Sequence, residues 1–335
     1  MNIWLPYVEG GSGTDVFTHS LADGLRDLGH RVNVQRFAHH WQYFPWRLKA
    51  VPAPSGCEAI IANSWNAFAF RRSGCRLLAV EHLCVLDPAL TPYRSFPQSV
   101  FHNTLVRHYE RASAKAADIT VAVSQYTRDA LARQVPDSSP KVILNAVDCD
   151  FFHPVDSRPD RGVFRLLFVG NLSRRKGADM LPGILNHLGD SFELHYTAGL
   201  RAPDFLQGLA NAHPLGKLDH QQVREAYRHA DVLVFPTRLE GLPLVAMEAM
   251  ACGTPVVASD SSSLPEVIRH GVTGMLCPQD DEQAFAEAIA SLAYDPQRLR
   301  RMSEAARTDA VERFCRPRMA REYADLLQSA QVDAQ

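Results

Sequence analysis

Two glutamates with seven residues between them stand in LEGLPLVAMEAMACGTPVVAS, residues 239–259: Glu240 and Glu248. Pro243 suits the first position of a helix, because its fixed φ and missing N–H cost nothing there. Gly253 suits the cap at the other end, which sets a helix of about ten residues, about 15 Å long. Glu240 then lies in the loop ahead of the helix, and Glu248 about a turn and a half inside it. The free N–H groups of the first turn attract anions, a diphosphate above all. Acids on its flanks repel such an anion, but they can accept hydrogen bonds from hydroxyls on either side of it, such as those of a ribose and a hexose. A nucleotide sugar has that layout. Either glutamate alone reads as a solvated acid. The pair is harder to place in solvent, because Ala249, Met250 and Ala251 leave little polar surface beside Glu248.

Other residues could join this chemistry. Arg174, Arg175 and Lys176 follow an apolar run and precede a helical one. A solvated loop is the ordinary reading, but a loop after a strand is also where phosphates bind. His82 ends LLAVEH, where a buried structural imidazole is a more ordinary reading than a catalytic one. WQYFPWRLK, residues 41–49, interleaves four aromatics with Arg47 and Lys49. It could lie on a membrane surface, stack on a sugar or cover the core. Arg107, Arg111 and Lys115 share one helical face, either solvated or turned to anionic lipid.

These residues need a scaffold at the ends of strands. NIWL (2–5), RVNV (31–34), EAIIA (58–62), LLAVE (77–81), ITVAV (119–123) and VIL (142–144) read as buried strands. Between the first two, Phe17, Leu21, Leu25 and Leu28 fall on one helical face that Gly29 stops. Ser124 can cap another helix. Residues 151–163, with two prolines, a glycine and four charges, read as a linker. Strands resume with RLLFV (165–169), FELHYT (192–197), DVLVF (231–235) and TPVVAS (254–259), and from about 281 the pattern is helical. The expectation is two doubly wound parallel sheets facing across a cleft, with ligands at the carboxyl ends of the strands.

The totals agree with that. A chain of 335 residues, 46% hydrophobic and 21% charged, fits two globular domains. A net charge of −2 supplies no basic footprint for nucleic acid. Seven scattered cysteines without a C-x-x-C pair argue against a disulfide framework or zinc knuckle and suit a reducing cytoplasm. No signal peptide and no bilayer-spanning run is read, so contact with a membrane would be peripheral, at its inner face.

PTRLEGLPLVAMEAMACGTPVVAS resembles the signature of retaining nucleotide-sugar glycosyltransferases of the GT-B fold, the large family of mannosyl- and glucosyl-type transferases. LADGLRDLGHRVNV, ADITVAVSQYTRDAL, NAVDCDFFHP and LLFVGNLSRRKG extend the likeness over nearly the whole chain. The resemblance implies an acceptor-side Rossmann-like domain, 1–154, and a nucleotide-sugar-binding domain, 155–315. The C-terminal helix, about 316–330, would pack back on the first. It implies that Glu240 holds the donor sugar, Glu248 the ribose hydroxyls and Lys176 the diphosphate. Gly241 and Leu244 would approach the diphosphate through backbone groups. Gly13 would let the backbone turn close to the same phosphates. His82 matches the histidine that faces the donor sugar from the acceptor side.

Some positions depart from the pattern. Asn171 stands where family members carry a diphosphate-binding arginine, a charge Arg175 could supply. Ser12, Gly13, Thr14 and Asp15 replace two glycines and a glutamate, and Ala146 replaces the glycine of NGVD. The implied reaction moves a sugar from a nucleoside diphosphate to a saccharide or lipid-linked acceptor in polysaccharide, lipopolysaccharide or glycolipid assembly. It would need no cofactor and no metal, on the reading that the sequence holds no D-x-D pair for a divalent ion. A nucleotide-sugar 2-epimerase and a non-catalytic sugar-nucleotide-binding subunit share the fold and stay as alternatives. GGSGTDV (10–16) lacks the third glycine of a dinucleotide fingerprint, with Val16 in its place, which opposes an oxidoreductase.

Overall fold

The structure is a computed structural model that describes residues 1–11, 13–136, 138–155, 162–197 and 205–332, the last three without their side chains. The chain forms two compact units, Met1–Ala146 with Arg316–Gln335, and Val147–Cys315. The passage between them at Ala146/Val147 precedes the stretch 151–163 read as a linker, of which 156–161 lie outside the described residues.

In the first unit six strands form a parallel sheet: β1 (Asn2–Val8), β2 (Arg31–Phe37), β3 (Ala59–Asn63), β4 (Arg76–Glu81), β5 (Ile119–Ala122) and β6 (Lys141–Val142). Their spatial order is β2-β1-β3-β4-β5-β6. The apolar runs pack as expected of strands covered on both faces, with Ile60, Leu77 and Leu78 fully buried. Helix α1 (Gly13–Asp27) buries Phe17, Leu21 and Leu25, and Gly29 leaves it at φ +83°. Further along lie α2 (Phe96–Phe101), a π-helical turn at His102–Val106, α3 (Arg107–Ala116) and α4 (Gln125–Gln134). Ser124 caps α4 by accepting from Thr127 N at 3.0 Å. The C-terminal helix Arg316–Val332 packs on α1 so closely that a Cβ on Gly24 would stand 2.7 Å from Ala320 Cβ.

The second unit repeats the plan with β7 (Phe164–Phe168), α5 (Leu181–Leu188), β8 (Phe192–Thr197), β9 (Ala212–Gly216), α6 (His220–His229), β10 (Val232–Phe235) and α7 (Leu244–Ala251). It continues with β11 (Val256–Ser259), α8 (Leu264–Val267), β12 (Gly274–Cys277), α9 (Glu282–Ala293) and α10 (Pro296–Phe314), so that the last helix is α11. All six strands are parallel, in the order β12-β11-β10-β7-β8-β9. The order reverses between β7 and β10, and the loops leaving those two strands meet at that reversal, the usual ligand position of an open α/β sheet.

Two strands were not read from the sequence. β9, AHPLG, is a half-exposed edge strand without apolar alternation, and β12, GMLC, is only four residues long. The helix that carries Glu248 has eight residues, not ten: Pro243 is its N-cap at ψ 116°, and the helix starts at Leu244. The cysteines also differ from the reading. Cys149 and Cys315 are bonded, with their Cα atoms 5.6 Å apart, while Cys57, Cys75, Cys84, Cys252 and Cys277 are free. The bond follows from a bridge between Val147 and Cys315 that lays the incoming and outgoing backbones side by side. Residues 166 positions apart give no local sign of this.

Candidate functional site

The loop after β7 holds a single 3-10 turn, Arg174–Lys176. Ser173 caps it, its hydroxyl accepting from Lys176 N at 3.4 Å, and Gly177 ends it at φ +69°. A side chain at Gly177 could not fit, because its Cβ would lie 2.0 Å from the carbonyl oxygen of Pro236. Glycine thus lets the loop after β7 lie against the loop after β10. Arg238 then clamps the two: its guanidinium donates to Asp179 at 2.7 and 3.1 Å, to Asp280 at 2.5 Å and to Arg174 O. Arg238 N donates to Arg175 O at 2.9 Å.

Glu240 is the centre of this junction. It is 8% exposed, and its Oε1 accepts from Lys176 Nζ at 2.6 Å, Thr237 Oγ1 at 2.7 Å and Arg175 Nη1 at 3.4 Å. Its backbone is held as well, with Glu240 N donating to Ser262 Oγ at 3.0 Å and Ser263 Oγ donating to Glu240 O at 3.2 Å. Burial pushes the carboxyl pKa up, but the Lys176 and Arg175 cations outweigh it and hold the group below its ordinary value. It is a carboxylate at neutral pH. Arg175 also donates to Leu239 O at 2.6 Å, and Lys176 Nζ sits 5.3 Å from the Phe235 ring centroid. An ammonium has three protons, so Lys176 can keep Glu240 and still donate to an anion.

Beside this junction starts α7, whose N-terminus has no side-chain cap. Leu244 is its first residue, and Gly241 and Leu242 are buried in the loop just ahead. Glu248, 9% exposed, accepts from Tyr227 Oη at 2.9 Å through Oε2. Burial raises its pKa to about 7, against the hydrogen bond from Tyr227. Gly253 takes φ +70° past the end of α7, as a helix-ending glycine should.

Six of the residues singled out in the sequence thus fall in one unit and one neighbourhood: Arg175, Lys176, Glu240, Gly241, Leu244 and Glu248. His82 and Gly13 belong to the other unit. His82 follows β4 and lines a cavity of about 320 Å³ with Tyr7, Asn63, Asn66 and Glu81. It packs edge-on to Phe17 with centroids 4.6 Å apart, and burial pushes its pKa down to about 4, so the imidazole is neutral. Gly11, at φ +60°, makes the turn after β1, while Gly13 opens α1, and Ser12 lies outside the described residues. Asp15 reaches back to accept from Gly10 N and from Gly11 N at 2.8 Å, which closes the turn by side chain.

Three further residues were missed. Glu81 is 1% exposed, its Oε2 meets no hydrogen-bond partner among the described residues, and burial raises its pKa to about 7. Its position next to His82 at a strand end was the available sign. Tyr227 and Thr237 show no motif at all. The metal expectation overlooked one Asp-x-Asp, Asp148-Cys149-Asp150. Asp148 Oδ1 accepts from Asp150 N at 3.1 Å and Phe151 N at 3.0 Å, which makes it a turn cap, and Cys149 is disulfide-bonded.

Two Rossmann-like parallel-sheet units, with a built loop junction at the strand reversal of the second, define the GT-B class. Known proteins agree. Residues 163–295 match the family Glycosyl transferases group 1, and residues 35–151 match Glycosyltransferase Family 4. Alpha-maltose-1-phosphate synthase of Mycolicibacterium smegmatis is 34% identical over 239 residues, 61% of each chain. D-inositol 3-phosphate glycosyltransferase 1 of Catenulispora acidiphila is 34% identical over 218 residues, 57% of this chain and 52% of that one. The chain thus spans between about half and two thirds of these relatives' lengths. Sucrose-phosphate synthase of Thermosynechococcus elongatus has the same fold, with a TM-score of 0.84 at 21% identity, over 99% of this chain and 100% of that one. HepE of Anabaena, solved in complex with UDP, aligns with a TM-score of 0.77 at 20% identity, over 98% and 100%. The two halves of the chain thus match two glycosyltransferase family models, and its fold is that of GT-B proteins.

The raised Glu248 pKa sets a pH dependence. A carboxyl that keeps its proton more tightly when folded contributes stability below its unfolded pKa of 4.5, and that contribution is lost as pH rises through about 7. Glu248→Gln should therefore raise the unfolding free energy at pH 8, by on the order of 3 kcal/mol at most, and leave it nearly unchanged at pH 4.5. An equal shift at both pH values would show that the burial of Glu248 has been misjudged.

Proposed function

We propose that this chain transfers a sugar from a nucleoside-diphosphate sugar to an acceptor hydroxyl with retention at the anomeric carbon, without a cofactor. The observation that carries the reading is the junction of Lys176, Arg175 and Glu240 beside the uncapped start of α7. HepE, which has a similar fold, is solved with UDP and with UDP-glucose, and that supports a nucleotide-sugar donor here.

Cleavage of the anomeric C–O bond leaves positive charge on the sugar ring and negative charge on the departing diphosphate. Lys176 and the N–H groups from Leu244 onward stabilise the departing charge, already oriented before the reaction. Gly241 lets the backbone come close to it. Arg175 acts through Glu240 and adds positive potential where Asn171 offers none. Glu240 accepts from the hydroxyls of the transferred sugar, and Glu248 from those of the ribose. No protein donor among the described residues meets Glu248 Oε1. His82 and the cavity around it serve the acceptor, a saccharide or a lipid-linked saccharide in polysaccharide, lipopolysaccharide or glycolipid assembly. In this reading the chain works without a metal, in the cytoplasm.

Contact with the inner face of a membrane rests on the first unit's surface. Tyr43, Phe44 and Trp46 are 43–48% exposed, Phe96 is 81% exposed, and exposed Arg111 and Lys115 follow on α3. Tyr43 packs on Phe101 at 5.4 Å, which joins the two aromatic segments. Aromatics beside cations suit an anionic interface. Among the described residues no helix is long and apolar enough to cross a membrane.

Lys176→Ala should lower kcat about thirtyfold, a loss of about 2 kcal/mol of transition-state stabilisation. The same change strands a buried carboxylate and costs stability. Lys176→Ala/Glu240→Gln should regain the stability and not the rate. Turnover unaffected by Lys176→Ala would remove this residue from the site, and a nucleotide sugar returned epimerised without a glycoside would favour the epimerase. Activity should survive EDTA. Loss restored by manganese would overturn the metal-free mechanism. In sedimentation with anionic vesicles, Phe44→Ser/Trp46→Ser/Phe96→Ser should stay in the supernatant while the parent chain pellets. Equal partitioning would dismiss the membrane contact.

A further inference from the structure

The strand β8 alternates strictly between two environments. Phe192, Leu194 and Tyr196 enter the hydrophobic core, while Glu193 and His195 lie half-buried on the opposite face. β9 runs alongside in parallel, and its pairing sets His213 directly opposite His195. Glu193 Oε2 is 3.5 Å from His195 Nε2, and the two imidazole centroids are 5.1 Å apart. One ligand atom from each of Glu193, His195 and His213 lies within 4.8 Å of the others. We propose that these three residues form a binding site for a divalent transition-metal ion of the zinc class, on the β8–β9 face of the second unit.

The donor set supports this. Two imidazole nitrogens with one carboxylate oxygen suit zinc and its neighbours and are poor ligands for magnesium or calcium. Zinc bonded at about 2.0–2.1 Å to tetrahedral ligands holds them roughly 3.4 Å from one another. The separations here reach that by small side-chain rotations, since sheet pairing already fixes the three Cα atoms. Three protein ligands leave a fourth position for water. The ion would tie the edge strand β9 to β8, next to the irregular register at Tyr196/Thr197. Arg165 is the competing partner, its Nη2 4.0 Å from the same Glu193 oxygen. A carboxylate shared between a guanidinium and an imidazole is what the cluster amounts to if no ion binds. The proposal does not depend on the transferase reading, which uses other residues and no metal.

The test is zinc titration of the metal-stripped full chain, by calorimetry and thermal melting. We expect one zinc equivalent bound with micromolar or tighter affinity, and a higher melting temperature with zinc. His195→Gln and His213→Gln, which keep size and polarity, should each weaken that binding at least tenfold and abolish the thermal shift. His187→Ala, at an exposed histidine of the same unit, should leave both unchanged. No zinc binding by the parent chain, or equal binding by His195→Gln/His213→Gln, overturns the site.

Discussion

The buried carboxylate of Glu240 needs Lys176 and Arg175, and that need shapes the second unit. An acid this enclosed would lose its charge without cations at hydrogen-bond distance. The cations come from one loop and the acid from another, so the pair fixes both loops at the reversal between β7 and β10. Gly177 permits the close approach, and Arg238 locks it from the far side through Asp179 and Asp280. A site that keeps its charged groups in place before any ligand arrives has little reorganisation left to do during reaction.

The first unit shows a different electrostatic balance. There His82 is neutral and Glu81 has no cation, so burial pushes the two in opposite directions. Glu110, also buried, is pushed up to about 9 by burial and by Glu81. A pocket lined by Asn63, Asn66, Tyr7 and a neutral His82 can bond hydroxyl-bearing ligands, whereas the charged junction of the second unit suits an anion.

How much was legible in the sequence follows from where each signal resides. VLVF and TPVVAS read as strands because both faces are buried, and AHPLG did not because β9 sits at an edge. The two glutamates and the basic turn stood out because chain direction alone puts them at strand ends. Their mutual pairing did not, since 64 residues separate Lys176 from Glu240. The same holds for Cys149 with Cys315 and for Tyr227 with Glu248, contacts made by tertiary packing. The positive φ of Gly11 was not legible, because a sequence carries no φ. Pro243 was placed one residue inside its helix, because proline favours the first helical position, whereas its ψ of 116° makes it the N-cap.

The central claim is that the Lys176–Glu240 junction and the start of α7 bind the pyrophosphate of a nucleotide sugar. Crystals soaked with UDP-glucose, and in parallel with GDP-mannose, test it most directly. The account predicts diphosphate density against Lys176 Nζ and the amides from Leu244 onward, with ribose hydroxyls at Glu248. Density elsewhere, or an unoccupied helix start with Glu248 still bound only to Tyr227, would contradict it.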